Sequence, residues 1–201
     1  MGERHRRILH CDMDSFFAAV HMRDEPHLQD VPLVIGGDPN GRGVVSTANY
    51  AAREYGIHSA QPAATAQRLC PHAVFLRPAI ERYRLEARRI FAIFREFTAM
   101  VEPASLDEAY LDVTATFEPF GSATALAEAL RERVRAETGL TVSVGVSDSR
   151  LVAKIASDWE KPDGLTVVPP DRVADFLAPL PVRRLHGVGP ATEQVLANLG
   201  V

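Results

Sequence analysis

Two stretches decide the fold of this chain: CDMDSFFA at residues 11–18 and SLDEAYLD at residues 105–112. In each, acidic side chains stand at the edge of a short apolar run. The first stretch continues a loosely alternating run at residues 7–11, which predicts a strand, and the second contains a turn between two predicted strands. Because strand ends can lie side by side in an antiparallel sheet, we expect the two acidic groups to form one cluster.

The rest of the chain places further strands and helices around these two stretches. Strands are predicted at 7–11, 31–35, 43–47, 100–102, 109–113, 141–146 and 165–168. Helices are predicted at 15–23, 48–55, 62–69, 80–97, 122–138 and 151–159. Pro169-Pro170 marks a boundary, after which short helical pieces are separated by prolines. This order predicts an α+β fold in which a split ferredoxin-like sheet is interrupted by an inserted subdomain.

The helix predicted at 80–97 has the clearest pattern. Its apolar face consists of Ile80, Tyr83, Ala87, Ile90, Phe94 and Phe97. Charged residues are expected on the other face, namely Arg82, Arg84, Glu86, Arg88, Arg89 and Glu96. The three- and four-residue spacing of the apolar side chains predicts an amphipathic helix with one buried face.

Composition narrows the class of protein. The chain is 46% hydrophobic and 24% charged, which is typical of a soluble globular protein. No apolar run is long enough to cross a bilayer, so no membrane contact is expected. Cys11 and Cys70 form neither a disulfide framework nor a zinc-ligand pattern, which predicts a reducing, cytoplasmic location. The net charge of −4 is unfavourable for nucleic-acid binding, because such proteins usually present basic surfaces.

The acidic residues Asp12, Asp14, Asp107 and Glu108 have the chemistry of a metal site. Mg²⁺ prefers oxygen ligands, and one or two carboxylates are completed by water and substrate phosphates. Such ions neutralise phosphate oxygens and activate a hydroxyl nucleophile in nucleotidyl transfer. The alternative is that acidic side chains at strand ends are simply solvated, which is the better interpretation for any single Asp or Glu.

The stretch CDMDSFFA closely resembles the first catalytic motif of the Y-family DNA polymerases, and SLDEAYLD resembles the second. The resemblance continues in the same order over nearly the whole chain. It implies a set of ligands for two Mg²⁺ ions: Asp12, Asp107 and Glu108, which are also the catalytic residues, and the carbonyl oxygen of Met13. By the same resemblance, Asp14 and Asp112 are expected to be structural.

The resemblance also implies which residues surround the nucleotide. They are Phe16, Phe17, Thr47, Tyr50, Arg53 and Lys161. Phe17 occupies the position of the steric gate, a ring that leaves no room for a ribose 2′-hydroxyl, and Phe16 packs beneath the nucleotide. Both rings could instead be core residues of an amphipathic helix. Tyr50 and Arg53 are three residues apart, so on a helix they share a face that can meet phosphate oxygens.

The C-terminal part resembles the helix-hairpin-helix of a polymerase thumb. The turn Gly187-Val188-Gly189 would let backbone N–H groups approach a DNA phosphate, and Arg183 and Arg184 add positive charge. An ordinary helical hairpin is the alternative. Lys154, further upstream, is expected to serve packing or DNA contact.

The expected domains follow from the resemblance. Residues 1–23 and 80–168 form a ferredoxin-like polymerase palm, and residues 24–79 form small inserted fingers. Residues 169–201 form part of a helical thumb, whose end at Val201 predicts a truncated chain without the little finger domain. A sliding clamp would be contacted only through the missing C-terminal parts.

The resemblance implies a template-directed DNA polymerase core of the lesion-bypass type. It would add dNTPs to a primer 3′-hydroxyl by two-metal nucleotidyl transfer, in translesion synthesis during DNA replication and repair, with primer–template DNA and dNTP as partners. One alternative is a palm-fold nucleotidyl cyclase, which also uses paired acids and metals. Another is a fragment that binds nucleotide or a partner protein without productive primer–template binding.

Overall fold

The computed structural model describes residues 5–200, which divide into two compact units. The larger unit comprises residues 5–12, 91–137 and 141–200. The smaller unit comprises residues 13–90 and 138–140. Each unit has its own sheet and its own buried core.

The described residues form a mixed α+β fold, as predicted. The strands are β1 (Ile8–Met13), β2 (Leu33–Gly36), β3 (Val45–Ala48), β4 (Val74–Leu76), β5 (Val101–Pro103), β6 (Glu108–Asp112), β7 (Val142–Ser147) and β8 (Leu165–Val167). The helices are α1 (Phe16–Asp24), α2 (Tyr50–Arg53), α3 (Ala63–Leu69), α4 (Ile80–Phe97), α5 (Ala123–Thr138), α6 (Arg150–Ser157), α7 (Val173–Leu177) and α8 (Pro190–Asn198). Short 3₁₀ helices lie at Pro26–Leu28, Glu118–Phe120, Pro170–Arg172 and Val182–Arg184.

The sheet of the larger unit has the strand order β5-β6-β1-β7-β8. Strand β6 pairs antiparallel with β1 on one side and with β5 on the other, whereas β7 and β8 are parallel. All six residues of β7 are buried, so this strand lies in the middle of the core with both faces covered. The order α4, β5, β6, α5, β7 is the αββαβ order that the sequence predicts.

Helix α6 packs directly on β7, and a glycine allows it. A Cβ atom on Gly145 would lie 2.0 Å from the carbonyl oxygen of Ala153, so only glycine fits beneath the helix. The helix begins after Ser149, whose hydroxyl accepts a hydrogen bond from the Val152 amide at 3.3 Å, as expected of an N-cap residue. This close packing holds Lys154 of α6 at a defined height over the sheet.

The predicted range of α4 is confirmed, but two side-chain placements are wrong. Ile80 is 41% exposed, although the pattern assigns it to the buried face. Glu86 is only 6% exposed, although the pattern assigns it to the charged surface. Its burial is tolerated because Arg23 Nη1 lies 2.9 Å from Glu86 Oε1, and a buried charge needs such a partner.

The smaller unit has a three-stranded sheet with the order β3-β2-β4. The antiparallel pairing of β2 with β3 confirms the predicted hairpin, whereas β4, which runs parallel to β2, was not predicted. Helix α2 is shorter than predicted, because Asn49 stays extended and ties β2 to the helix. Its side-chain oxygen accepts from the amides of Leu33 and Ala52, both at 2.9 Å.

The C-terminal part of the larger unit is helical, as predicted. Val173, Phe176 and Leu177 of α7 pack on a small core that includes Val152 and Val168. By contrast, neither the 3₁₀ helix Val182–Arg184 nor α8 has a buried residue. Within residues 5–200, no helix combines the length and the apolar character that crossing a bilayer requires.

Candidate active site

The register of β1 and β6 brings two of the predicted catalytic carboxylates together. Asp12 lies directly opposite Glu108 in the antiparallel pair, which confirms that the two acidic strand ends meet. The Asp12 side chain is 16% exposed and the Glu108 side chain 25% exposed. The two carboxylates therefore lie in a recess of the larger unit rather than on an open, fully solvated surface.

Asp107 lies in the turn just before β6, and Ser105 holds it there. The Ser105 hydroxyl donates to Asp107 Oδ1 at 2.7 Å and accepts from the Asp107 amide at 3.3 Å. Burial raises the pKa of the Asp107 carboxyl, while the charge of Glu108 acts in the same direction and that of Lys161 opposes it. All three groups are therefore close enough to influence one another electrostatically.

Each of the two opposed carboxylates contacts a lysine. Lys161 Nζ lies 2.6 Å from Asp12 Oδ1, and Lys154 of α6 forms an ion pair with Glu108. These are the only lysines in the sequence, since the other 20 of its 22 basic Lys and Arg residues are arginines. The chain thus places every lysine that it has on a predicted catalytic carboxylate.

The two carboxylates differ in their affinity for protons. Burial raises the pKa of Asp12 to about 7, although Lys161 acts in the opposite direction. The pKa of Glu108 is lowered to about 2, first by its hydrogen bond with His10 and then by Lys154. Burial acts to lower the pKa of Lys154, but its hydrogen bond and charge interaction with Glu108 raise it. Because burial destabilises the ionised Asp12 carboxylate, a further positive charge beside it would stabilise that ionised form.

His10 belongs to the same cluster, and sequence reasoning missed it. Its fully buried ring has Nε2 3.3 Å from Glu108 Oε2 and 3.4 Å from Lys154 Nζ, while Nδ1 lies 2.8 Å from Ser157 Oγ. Burial lowers the pKa of His10, which favours a neutral ring. The available signal was its position two residues before Asp12, because alternate residues of a strand share a face.

The turn that carries Lys161 is held by arginines of α5, which sequence reasoning also missed. Arg131 donates to Asp163 Oδ1 at 2.9 Å and also contacts the Asp163 carbonyl, and Arg135 forms an ion pair with the same carboxylate. Asp163 has a left-handed backbone (φ 54°), and a Cβ on Gly164 would lie 2.4 Å from the Glu160 carbonyl oxygen. The turn therefore has little freedom.

The two acids predicted to be structural each have a local hydrogen bond. Asp112 Oδ1 accepts from the Thr114 amide at 3.0 Å. Asp14 is buried, and its Oδ1 accepts from the Tyr50 hydroxyl at 3.4 Å. The expectation that neither acid is a metal ligand stays a prediction.

No three acidic, histidine or cysteine side chains among residues 5–200 converge closely enough to hold a metal ion. The donor set nevertheless suits a hard cation, since Asp12 and Glu108 offer carboxylate oxygens and each already holds a positively charged nitrogen. The assignment of Mg²⁺ to Asp12, Met13, Asp107 and Glu108 therefore stays a prediction.

In the smaller unit, the predicted steric gate rests on another ring. Phe17 stacks on Tyr83 with centroids 4.1 Å apart and an interplanar angle of 7°. The Tyr83 hydroxyl lies 2.9 Å from His21 Nε2, which fixes the ring on which Phe17 rests. Phe16 is only 2% exposed, so it is a core residue.

The predicted phosphate-binding residues also lie in the smaller unit. Arg53 places its guanidinium 4.8 Å from the centroid of the Tyr50 ring, which confirms that the two side chains share a helix face. Arg53 Nε donates to the Ala48 carbonyl at 2.9 Å, and its side chain remains in an exposed position. Thr47 lies opposite Ile35 in the hairpin. Their contact with phosphate stays a prediction.

The predicted DNA-binding turn lines a basic cavity in the larger unit. The cavity has a volume of about 260 Å³, and its lining includes Lys154, Arg183, Arg184, His186, Gly187 and Val188, with Asp158 as the one acidic residue. Gly187 has a positive φ of 90°, a conformation that glycine adopts readily, and Gly189 caps α8. This arrangement suits an anion such as a phosphate group.

Comparison with known proteins adds to this geometry. Residues 11–158 match the model of the impB/mucB/samB family, and residues 170–201 match the HHH motif of the IMS family. The chain belongs to the impB/mucB/samB family. The family match includes both acidic motifs and Lys154, and the second match covers the predicted helix-hairpin-helix.

Relatives and solved structures of this family carry polymerase names. The chain is 57% identical over 196 residues to DNA polymerase IV of Halorhodospira halophila, an alignment that covers 98% of this chain and 55% of that protein. A Y-family DNA polymerase chimera superposes with a TM-score of 0.90 at 33% identity, covering 97% of this chain and 58% of that one. An insertion ternary complex of Dbh DNA polymerase gives a TM-score of 0.90 at 34% identity, covering 97% and 58%.

These comparisons confirm the resemblance to Y-family polymerases and the polymerase-palm type of α+β fold. The chain spans about half the length of the curated relatives that it matches. The domain boundaries and the roles of the individual site residues stay predictions.

Proposed function

We propose that this chain is the catalytic core of a template-directed DNA polymerase of the lesion-bypass type, which adds dNTPs to a primer 3′-hydroxyl. One observation carries the proposal. Asp12 and Glu108, each from a motif that resembles a catalytic motif of the polymerases, lie opposite each other in adjacent strands, and Asp107 is next to them. The polymerase names of its relatives support the same reaction.

Two Mg²⁺ ions would be held by Asp12, Asp107 and Glu108 together with the Met13 carbonyl oxygen. When bound, such ions neutralise phosphate oxygens and make the attacking hydroxyl a better nucleophile. The residues of the chain supply fixed oxygen donors for them. Ser105 holds the Asp107 carboxylate, and His10 holds that of Glu108.

The nucleotide would be bound mainly through its charge and its sugar. Tyr50, Arg53, Thr47 and Lys161 would contact the triphosphate, because hydroxyl and cationic donors match its oxygens. Phe17 would exclude a ribose 2′-hydroxyl, and its stacking on the buried Tyr83 makes it a rigid barrier. Phe16, which lies next to Phe17 in α1 and is buried in the core, would support the nucleotide from beneath.

Primer–template DNA would be bound by the helix-hairpin-helix turn. Gly187, Val188 and Gly189 would present backbone N–H groups to a phosphate, and Arg183 and Arg184 would add positive charge. In this proposal residues 1–23 and 80–168 are the palm, residues 24–79 the fingers and residues 169–201 part of the thumb. A sliding clamp would bind other parts of the whole protein.

Primer extension with Mg²⁺ tests the proposal, and Asp107→Asn is the decisive variant. We expect it to extend primers at least about a thousandfold more slowly than the parent, because a metal ligand is lost. Asp112→Asn is the matched control from the same motif, since an asparagine oxygen can still accept the Thr114 hydrogen bond. Equal rates for Asp107→Asn and the parent would contradict the proposed site.

A second comparison separates the site from the grip on DNA. The chain is assayed alone and fused to the C-terminal part of the Halorhodospira halophila relative, with a salt-dependent DNA-binding titration of each form. Extension by the fusion but not by the chain alone would mean that the catalytic site is competent but that the chain alone binds primer–template DNA too weakly. No extension and no dNTP binding by either form would contradict the proposed function.

A further inference from the structure

The two lysines of the chain have an unusual distribution. Lys154 and Lys161 lie on different elements, α6 and the turn after it, yet each contacts one of the two opposed carboxylates. Their side chains are 18% and 14% exposed, so both ammonium groups are partly removed from water. Lys161 is expected to contact the nucleotide, whereas Lys154 has no role in the proposed reaction.

We propose that Lys154 is a positioning residue of the active site, which acts with Lys161 as an exchangeable counterion for the carboxylates. Before a divalent cation binds, Lys154 neutralises Glu108 and Lys161 neutralises Asp12. When the cation binds, Lys154 leaves Glu108 and pairs with a DNA phosphate. The inference rests on the proposed function, because it takes these carboxylates to be the metal ligands.

The need for a counterion follows from burial. Asp12 and Glu108 lie opposite each other with most of their surface covered, and two unneutralised carboxylates there would repel each other. An ammonium group on each removes this repulsion and keeps the strand ends paired. A divalent cation supplies more charge to the same oxygens, so it competes directly with the lysines.

The choice of lysine over arginine supports exchange rather than permanent pairing. Arg150, at the start of the same helix α6, grips Glu102 with two hydrogen bonds of 2.8 and 2.7 Å and stacks on Tyr110. Such a fork is planar and bidentate, whereas a lysine ammonium is a point charge on a flexible stem. The chain therefore uses arginine at this bidentate ion pair and lysine on the carboxylates that the proposal takes to be metal ligands.

Lys154 also lines the basic cavity, together with Arg183, Arg184, His186 and one acid, Asp158. A phosphate group bound in that cavity would attract the ammonium when Glu108 takes up a cation. Lys154 would thus couple occupancy of the carboxylates to contact with DNA.

Mn²⁺ binding, measured by electron paramagnetic resonance on the whole chain without DNA, tests the inference. We expect Lys154→Met to bind Mn²⁺ about fivefold more tightly than the parent, because the competing cation is gone. Lys154→Arg should bind about fivefold more weakly, because a forked pair holds Glu108 more firmly. Arg150→Met, from the same helix, should match the parent.

The same variants are then titrated with duplex DNA in the presence of Mg²⁺. Lys154→Met should lose about one phosphate contact, seen as a salt dependence that is shallower by about one unit. A merely structural lysine would leave Mn²⁺ affinity unchanged or reduced in Lys154→Met. Either result overturns the inference.

A readout on the parent chain, in which neither lysine is substituted, guards against a folding defect in the variants. Reductive ¹³C-methylation labels only Lys154, Lys161 and the N-terminal amine, so the spectrum contains few signals. Both lysine signals should shift over the same range of Mg²⁺ concentration, and lysine signals that ignore the cation would overturn the inference.

The proposed function and this inference can fail separately. Primer extension together with unchanged Mn²⁺ affinity in Lys154→Met would remove only the inference. Tighter Mn²⁺ binding in that variant without any primer extension would remove only the polymerase proposal.

Discussion

Two regions of the molecule differ sharply. The first is the strand edge, by which we mean the C-terminal end of β1 with Asp12 and the start of β6 with Glu108 and the adjacent Asp107. The second is the C-terminal hairpin segment, which we define as residues 182–198. At the strand edge each carboxylate is partly buried and contacts a neighbouring side chain. In the C-terminal hairpin segment, neither the 3₁₀ helix Val182–Arg184 nor α8 buries a residue. Both regions belong to the larger unit and both are assigned to the same reaction.

If the strand edge performs the proposed chemistry and the C-terminal hairpin segment binds DNA, we expect the two functions to depend on different physics. Charge stabilisation in catalysis needs donors whose orientation is fixed in advance, and sheet register together with helix packing provides that at the strand edge. Phosphate contact depends mainly on positive charge and tolerates movement, so an exposed segment can serve. Mutations should therefore affect the rate constant at the strand edge and DNA affinity in the C-terminal hairpin segment.

Among residues at the strand edge that are not proposed metal ligands, the largest effect is expected at His10. Replacing it by phenylalanine removes the nitrogen that faces Glu108 and the tie to Ser157, while it keeps a ring of similar size. We expect kcat of primer extension to fall about 30-fold with the KM for dNTP little changed, as is typical when a partner that orients a metal ligand is lost.

His10→Gln is the control for this prediction, because its amide nitrogen can reach the position of Nε2. It should recover most of the loss and stay within about threefold of the parent. If both variants change only thermal stability and leave kcat unchanged, His10 is only a core residue. The orientation of Glu108 by His10 would then not matter for catalysis.

Much of the strand edge could be predicted from the sequence because its signals are local. Acids at the ends of predicted strands indicated Asp12, Asp14, Asp107 and Glu108 as one cluster, and the antiparallel register confirms that Asp12 and Glu108 meet. The selection of three ligands from these four came from the resemblance to the Y-family motifs. The three- and four-residue spacing likewise gave the range of α4 correctly. In these cases the deciding pattern lies within a few residues, where strand and helix periodicity acts.

The features that were missed depend on partners far away in the sequence. His10 meets Ser157, which is 147 residues away, and Asp163 meets Arg131, which is 32 residues away. The burial of Glu86 was predicted wrongly for the same reason, since only the fold brings Arg23 to it. Local periodicity contains no information about such pairs, and the side chains alone suggest a solvated surface.

A smaller effect is expected from the arginines that hold the Lys161 turn. Asp163→Asn keeps a residue type that tolerates the left-handed backbone but removes the charge that Arg131 and Arg135 bind. Lys161 should then be less well placed, and we expect the KM for dNTP to rise about tenfold while kcat changes less.

Arg133→Gln is the matched control on the same helix, because Arg133 pairs with Glu96 and Glu137 instead. Arg131→Gln should reproduce the effect of Asp163→Asn, and the double variant should be no worse than either single one. Additive effects would show that these residues do not act on nucleotide binding as one unit.

The smallest effect is expected in the C-terminal hairpin segment, at Arg183 and Arg184. Changing both to glutamine should weaken DNA binding about tenfold at low salt and make the salt dependence shallower by about two units, because two phosphate contacts are lost. The free energy of unfolding should change by less than about 0.5 kcal/mol, since no residue of the 3₁₀ helix Val182–Arg184 is buried. At saturating DNA the rate of nucleotide addition should equal that of the parent. A lower rate at saturation would mean that the C-terminal hairpin segment also orders the strand edge, and the division between chemistry and grip would not hold.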